Sequence, residues 1–280
     1  MSGREDNVYR MGIYEKALLT RPLPEMFGDA AKAGFDNFEI SLDEADMRLE
    51  RLEWSFDQCA AVRRSAGESG VQLYSACLSG HRRFPLGSAD PSTEAKALEV
   101  LRKGIRFCCN MGIRVLQIAG FDVFYEPRTP DTARRYRDNL ARGARMAEQA
   151  GVMLAVEPVE DYITSVRAAL ELVKEIGSPW LQIYPDAANL VAMGFDPAEE
   201  LRLGAKRLVG LHIRDARPGT SFNLEMGSGT LDFAAVFRTL EEIGFHGPIV
   251  LELWNQENPD YMDIVTSSRR FLNDAARRAR

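Results

Sequence analysis

Short apolar runs alternate along this chain with longer stretches in which apolar residues recur every three or four positions. The first kind of pattern predicts buried strands and the second predicts helices with one apolar face. Strands are expected at Met11 to Lys16, Phe35 to Ser41, Val71 to Leu78 and Ile113 to Ala119. Four more follow at Val152 to Glu157, Leu181 to Tyr184, Leu208 to His212 and Ile249 to Glu252. Between them, Pro22 and Pro24 introduce a helix to about Ala33, and Ser55 to Ser69 carries Phe56, Cys59, Val62 and Ala66 at helical spacing. Leu98, Leu101, Ile105 and Cys108 mark a third helix, ended by Met111-Gly112, and Thr129-Pro130 opens a fourth that runs to Ala150. The remaining helical stretches are Thr164 to Ile176, Pro197 to Ala205, Phe233 to Ile243 and Pro259 to Ala279. Gly34, Gly70 and Gly151 stand where helices stop, as glycine does at a C-cap.

Eight strand-then-helix units with short connections and no break in composition predict one α/β domain over residues 1–280, a single (β/α)8 TIM barrel. A doubly wound sheet would need a glycine-rich phosphate loop after its first strand, and Gly12-Ile13-Tyr14-Glu15 is not one. In a barrel, the C-terminal strand ends form the active-site face. Here the last four runs deliver Glu157, Asp186, His212 and Glu252 to those ends. Pro158 cannot donate to a ladder, so the fifth strand stops on Glu157. Each carboxylate alone reads equally well as a helix cap or an ion-pair partner. Four consecutive strands ending in ligand types are hard to explain by packing. One imidazole with three carboxylates suits one harder divalent ion: Mn²⁺, Mg²⁺, Co²⁺ or Zn²⁺.

Charge and composition narrow the partners. A net charge of −6 gives no footprint for nucleic acid. No run approaches the roughly 18 apolar residues of a membrane helix, and Met1 to Arg10 is too polar for a signal peptide. A soluble cytoplasmic protein is expected, without membrane or nucleic-acid partners; a homodimer is compatible with the chain, which leaves the oligomer open. The four cysteines lack CxxC spacing and read as buried small side chains. The arginines of the tail, Arg269 among them, read as a solvated helix face.

Three segments carry a resemblance. Met11-Gly12-Ile13-Tyr14-Glu15-Lys16-Ala17-Leu18, the loop from Leu78 to Ser88 (Leu-Ser-Gly-His-Arg-Arg-Phe-Pro-Leu-Gly-Ser), and Gln182 to Leu190 closely resemble the L-ribulose-5-phosphate (L-xylulose-5-phosphate) 3-epimerases. These belong to the xylose-isomerase-like sugar epimerases and isomerases. The resemblance covers nearly the whole chain and implies a divalent metal held by Glu157, Asp186, His212 and Glu252, with the two glutamates also acting as the catalytic acid/base pair. The wider group of free-sugar 3-epimerases has a substrate-contacting histidine three residues beyond the aspartate. Asn189 stands there, as in the phosphate-specific branch. The implied reaction is 3-epimerisation of a ketopentose 5-phosphate, L-ribulose 5-phosphate or L-xylulose 5-phosphate, through an enediolate. Two carboxylates on opposite faces of the carbon would let one take the proton and the other return it.

For the phosphate, His81, Arg82 and Arg83 of the basic loop are the natural candidates, because guanidinium forks match phosphate oxygens. Lys16, Arg214 and Arg217 are weaker ones. Glu15 and Glu39 read as partners of sugar hydroxyls or of the basic loop, Trp254 as a substrate wall or a packing residue, and Gly227-Ser228-Gly229 as a tight loop near the mouth. A 1,2-aldose–ketose isomerase, or a 3-epimerase of another or unphosphorylated sugar, would use the same constellation and stays open.

Overall fold

A computed structural model describes residues 9–280; the polar segment before residue 9 lies outside them. Eight strands form the sheet: β1 (Met11–Tyr14), β2 (Asn37–Ser41), β3 (Gln72–Leu78), β4 (Val115–Ala119), β5 (Met153–Glu157), β6 (Leu181–Ile183), β7 (Leu211–Ile213) and β8 (Ile249–Leu251). Every paired neighbour is parallel, in the order β6-β5-β4-β3-β2-β1-β8-β7. Bridges between Ile183 and Leu208 and between Asp186 and His212 join the two outer strands and close the ring. The fold is a (β/α)8 barrel. Its helices are α1 (Leu23–Lys32), α2 (Asp46–Leu49), α3 (Phe56–Ser69), α4 (Pro91–Met111), α5 (Pro130–Ala150), α6 (Val166–Ile176), α7 (Ala187–Ala192), α8 (Pro197–Gly204), α9 (Phe233–Glu242) and α10 (Tyr261–Arg278).

The helix boundaries follow local chemistry. Ser55 and Thr129 close capping boxes on Gln58 and Thr132, and Asp90, Ser165, Asp196 and Asp232 cap α4, α6, α8 and α9. Each such cap contributes about 1 kcal/mol relative to alanine. Two short helices, α2 and α7, are absent from the expected series, because four and six residues are too few to display a period.

Alternation along the strands separates two environments. Met11, Ile13, Phe38, Ile40, Leu116, Ile118, Leu154, Val156, Leu211, Ile213, Ile249 and Leu251 belong to the large apolar cluster shared with the helices. The opposite face carries Tyr14, Cys77, Val115, Ala155, Tyr184 and Val250, a second apolar cluster. Glu39, Ser75, Gln117, Glu157 and His212 stand at positions of the same parity, so the barrel interior becomes polar toward its C-terminal end. The seventh strand departs from expectation. Its ladder runs Leu211–Ile213, Leu208 makes only the bridge to Ile183, and His212 sits within the strand, opposite Val250. Arg207 and Val209 pair with Ile183 before the ladder to β8 begins at Leu211, and at Gly210 between them the Tyr184 ring lies where a Cβ would be, 2.2 Å from its nearest atom.

Three cysteines are buried as expected, but Cys109 is exposed. Arg269 departs from the solvated face expected of it. It is buried on α10, donating to the Gly34 carbonyl at 3.1 Å and stacked over Phe35.

Candidate active site and metal centre

The four expected ligands meet. Glu157 is the last residue of β5, Glu252 follows β8 directly, His212 comes from β7, and Asp186 lies three residues beyond β6 at the start of α7. All four are buried, and one donor atom from each lies within 4.8 Å of the others. Asp186 divides its oxygens: Oδ1 accepts the Ala188 amide at 2.8 Å and caps α7, while Oδ2 accepts from Arg214. The cap and ligand readings of that residue are therefore compatible.

His212 fixes the orientation of the cluster. Its Nδ1 faces Glu157 Oε1 at 3.1 Å and Glu252 Oε2 at 3.7 Å, and its Nε2 lies 2.6 Å from Glu39 Oε1. A carboxylate behind a ligating imidazole is the usual arrangement for holding ring and tautomer. Glu39 accepts in turn from Ser75 Oγ at 2.5 Å. The donor chemistry, the shared 4.8 Å neighbourhood and the Glu39 support fit one divalent ion bound through His212 Nδ1 and the three carboxylates.

The electrostatics carry the same sign. Burial, with the Asp186 charge, pushes Glu157 above the usual carboxylate range, although His212 and Arg214 oppose it. Burial pushes Glu252 up to about 8, again against His212 and Arg214 and with Glu157 and Asp186 adding to the rise. Burial would lower His212, but the carboxylates of Glu39 and Glu252 and its bond to Glu157 outweigh it and hold the imidazole well above its ordinary value. Carboxylates crowded without water hold protons until a cation takes their place.

Above the cluster opens a cavity of about 320 Å³. Glu157 and Glu252 line it, with Tyr14, Cys77 and Trp254, the aromatics Phe121, Phe124 and Phe222, and the polar side chains Ser79, Asn189 and Ser221. Three cations also line it: Lys16, Arg82 and Arg214. Lys16 is paired with Asp43. Arg214 bonds Asp186 and Asn189 and lies 3.4 Å from Glu252. Arg82 makes no hydrogen bond or ion pair among the described residues, and its Nε is buried without a partner.

Other expected site residues lie elsewhere. Arg83 points to the surface and pairs with Asp46 at 2.6 Å. His81 is buried with Nε2 3.3 Å from the Ala97 carbonyl of α4, and burial lowers it to about 4, so it is a neutral packing residue. Glu15 contacts neither sugar site nor basic loop: Arg48 and Arg51 neutralise it and the Ser41 amide donates to it at 2.9 Å. The expectation erred because those arginines lie more than thirty residues away in sequence. Glu39 serves His212 rather than a substrate. Arg217 donates to the Ser228 carbonyl, and the Gly227 and Gly229 amides are taken by Asp215 at 2.7 and 2.8 Å, so that glycine loop offers no free backbone donor there.

Gln117 was missed. Its amide donates to Glu157 Oε2 from the inward face of β4. The signal was present as a lone polar residue inside Val115-Leu116-Gln117-Ile118-Ala119.

The sequence and fold have counterparts. Residues 27–275 match the family described as the xylose isomerase-like TIM barrel. The L-ribulose-5-phosphate 3-epimerase UlaE of Escherichia coli (strain SMS-3-5 / SECEC) is 42% identical over 268 residues, covering 94% of this chain and 93% of its own. The protein of the same name from Escherichia fergusonii is 41% identical with the same coverage. An L-ribulose 3-epimerase structure superposes with a TM-score of 0.81 at 22% identity, over 97% of this chain and 96% of its own. A D-psicose 3-epimerase determined with D-fructose gives 0.76 at 17%, over 96% of each. At those identities, the two structures speak for the fold. The chain belongs to the L-ribulose-5-phosphate 3-epimerase family of xylose isomerase-like TIM barrels. It is an isomerase of the carbohydrate epimerase type. Among the described residues, no helix is long and apolar enough to cross a membrane.

Proposed function

We propose that the whole chain, as one barrel domain, interconverts L-ribulose 5-phosphate and L-xylulose 5-phosphate by inversion at C3, with Glu157 and Glu252 as the proton-transfer pair. The observation that carries this reading is the convergence of the two glutamates. They come from β5 and β8, on different sides of the barrel, and flank His212 Nδ1 in the floor of one cavity. The similarity to the L-ribulose-5-phosphate 3-epimerases supports the substrate.

One glutamate takes the C3 proton, the C–H electron pair forms the C2–C3 double bond, and the C2 carbonyl becomes the enediolate oxygen. The other glutamate delivers a proton to the opposite face of C3, the double bond returns to the C2 carbonyl, and the configuration is inverted. A divalent ion held by Glu157, Asp186, His212 and Glu252 would supply positive charge to the developing oxygen anion. Gln117 and Arg214 hold Glu157 and Glu252 from outside the cluster. Trp254 and Phe121 wall the cavity and exclude water. Arg82, the one cavity cation without a polar partner among the described residues, takes the 5-phosphate, and Lys16 and Asn189 border the same space.

The test is incubation of purified protein with each sugar phosphate, with and without chelator. The expected result is conversion to the same epimer mixture from both sides, abolished by chelation and restored by Mn²⁺, Co²⁺, Zn²⁺ or Mg²⁺. Formation of an aldose instead would assign the site to 1,2-isomerisation.

A further inference from the structure

We infer that Phe124 is the positioning residue of the phosphate site, holding the Arg82 guanidinium by its ring face so that the N–H donors stay free for the ligand. The inference rests on Arg82 being the residue that takes the substrate phosphate.

All three arginines around the mouth lie over a ring, Arg83 over Phe84 at 5.2 Å, Arg214 over Trp254 at 4.9 Å and Arg82 over Phe124, but the first two are held by polar partners as well. Arg83 is fixed by Asp46, and Arg214 by Asp186, Asn189 and Ser221. Both have spent donors on the protein. Among the described residues, Arg82 is fixed by neither carboxylate nor carbonyl; its guanidinium carbon lies 5.1 Å from the centroid of the Phe124 ring. A cation over an aromatic face is attracted by the ring quadrupole, and that attraction uses no N–H group. The half-buried guanidinium is therefore aimed without being satisfied: its Nε is orphaned, as is that of Arg214, but of these three arginines only Arg82 has no polar partner among the described residues. A buried donor left unpaired is explained when a ligand supplies the acceptor.

Phe124 is itself supported. Phe121 lies against it at 5.1 Å and Tyr125 meets it edge-on at 4.8 Å. The Tyr125 hydroxyl donates to Glu44 at 3.1 Å, tying the loop after β4 to the one after β2. Phe121 and Phe124 line the cavity with Arg82. Phe124 is 36% exposed, so its presence at the rim is not explained by core packing.

The test compares KM for L-ribulose 5-phosphate and for unphosphorylated L-ribulose in wild type, Phe124→Leu, Phe124→Tyr and Arg82→Gln, with inorganic phosphate as competitive inhibitor. Phe124→Leu keeps an apolar side chain but removes the quadrupole. It should raise KM for the phosphorylated substrate and the inhibition constant of phosphate together, roughly 3–10-fold. KM for the free sugar should rise by a clearly smaller factor, and Phe124→Tyr should restore the wild-type values. Equal losses on both substrates would make Phe124 a structural residue and overturn the inference. If Arg82→Gln removes the preference for phosphate while Phe124→Leu leaves it intact, the stacking role falls alone. If Arg82→Gln leaves the preference unchanged, the phosphate reading of Arg82 falls first and this inference with it.

Discussion

Glu39 reaches His212 from the far side of the imidazole, and that contact decides which nitrogen faces the cluster. Removing its charge should weaken the metal site without touching a ligand. For Glu39→Gln, metal affinity measured by titration is expected to fall about 10–100-fold, with the folded spectrum retained; unchanged affinity would show that Glu39 is a packing residue. His212→Ala should go further and lose most of the metal, which elemental analysis of the purified variant reads directly. Full occupancy there would remove His212 from the site. At this scale, the sequence disclosed residue types at strand ends, and the ligand quartet was legible. Partners across the barrel were not. Glu39 and His212 are 173 positions apart, and Glu15 is claimed by two arginines from a helical segment without a readable period. Gln117 was visible only as one polar letter in an apolar strand.

Among the elements, the entry to β7 is closely packed. The Tyr184 ring covers Gly210, and the Tyr184 hydroxyl lies 3.4 Å from Ser75 Oγ, which also bonds Glu39. Gly210→Ala would therefore drive a methyl into that ring and disturb the support of His212. Overpacking of this kind costs about 1–3 kcal/mol, so a lower melting temperature and weaker metal binding should appear together. A variant with wild-type stability would show that Tyr184 can move aside freely. The Thr129 cap of α5, the glycine stops and the helical stripes of α4 and α9 were legible because they are local patterns. The true start of β7 was not, because one apolar run pairs with Ile183 at its beginning and with β8 only from Leu211, and that change of partner leaves no mark in the sequence.

For the whole molecule, the barrel brings four titratable side chains into one buried cluster, and the consequence is a linkage to pH. Burial raises Glu157, and lifts Glu252 from 4.5 to about 8. A carboxylate raised in the fold binds a proton that the unfolded chain has released, so its stabilising effect is present at low pH and fades as pH rises from about 4.5 toward 8. His212, despite burial, is held above its ordinary value by Glu39 and Glu252 and loses its contribution in the same direction, as pH rises through its folded value. Divalent ions compete with those protons. The gain in melting temperature on adding Mn²⁺ to chelated protein should therefore grow between about pH 5.5 and 8, and a gain that shrinks over this range would contradict the buried cluster as the binding site. The (β/α)8 order was legible from eight repeated units, whereas the closure through two single bridges was not. The central claim is that two opposed glutamates share one proton transfer, and C3 deuteration in D₂O tests it most directly. Each epimer is offered separately to metal-loaded Glu157→Gln and Glu252→Gln, with NMR as the readout. The account predicts no net epimerisation by either variant and exchange at C3 of only the epimer whose proton faces the surviving glutamate, a different epimer for each. Interconversion near the wild-type rate by either variant, or exchange of both epimers by one of them, would contradict it.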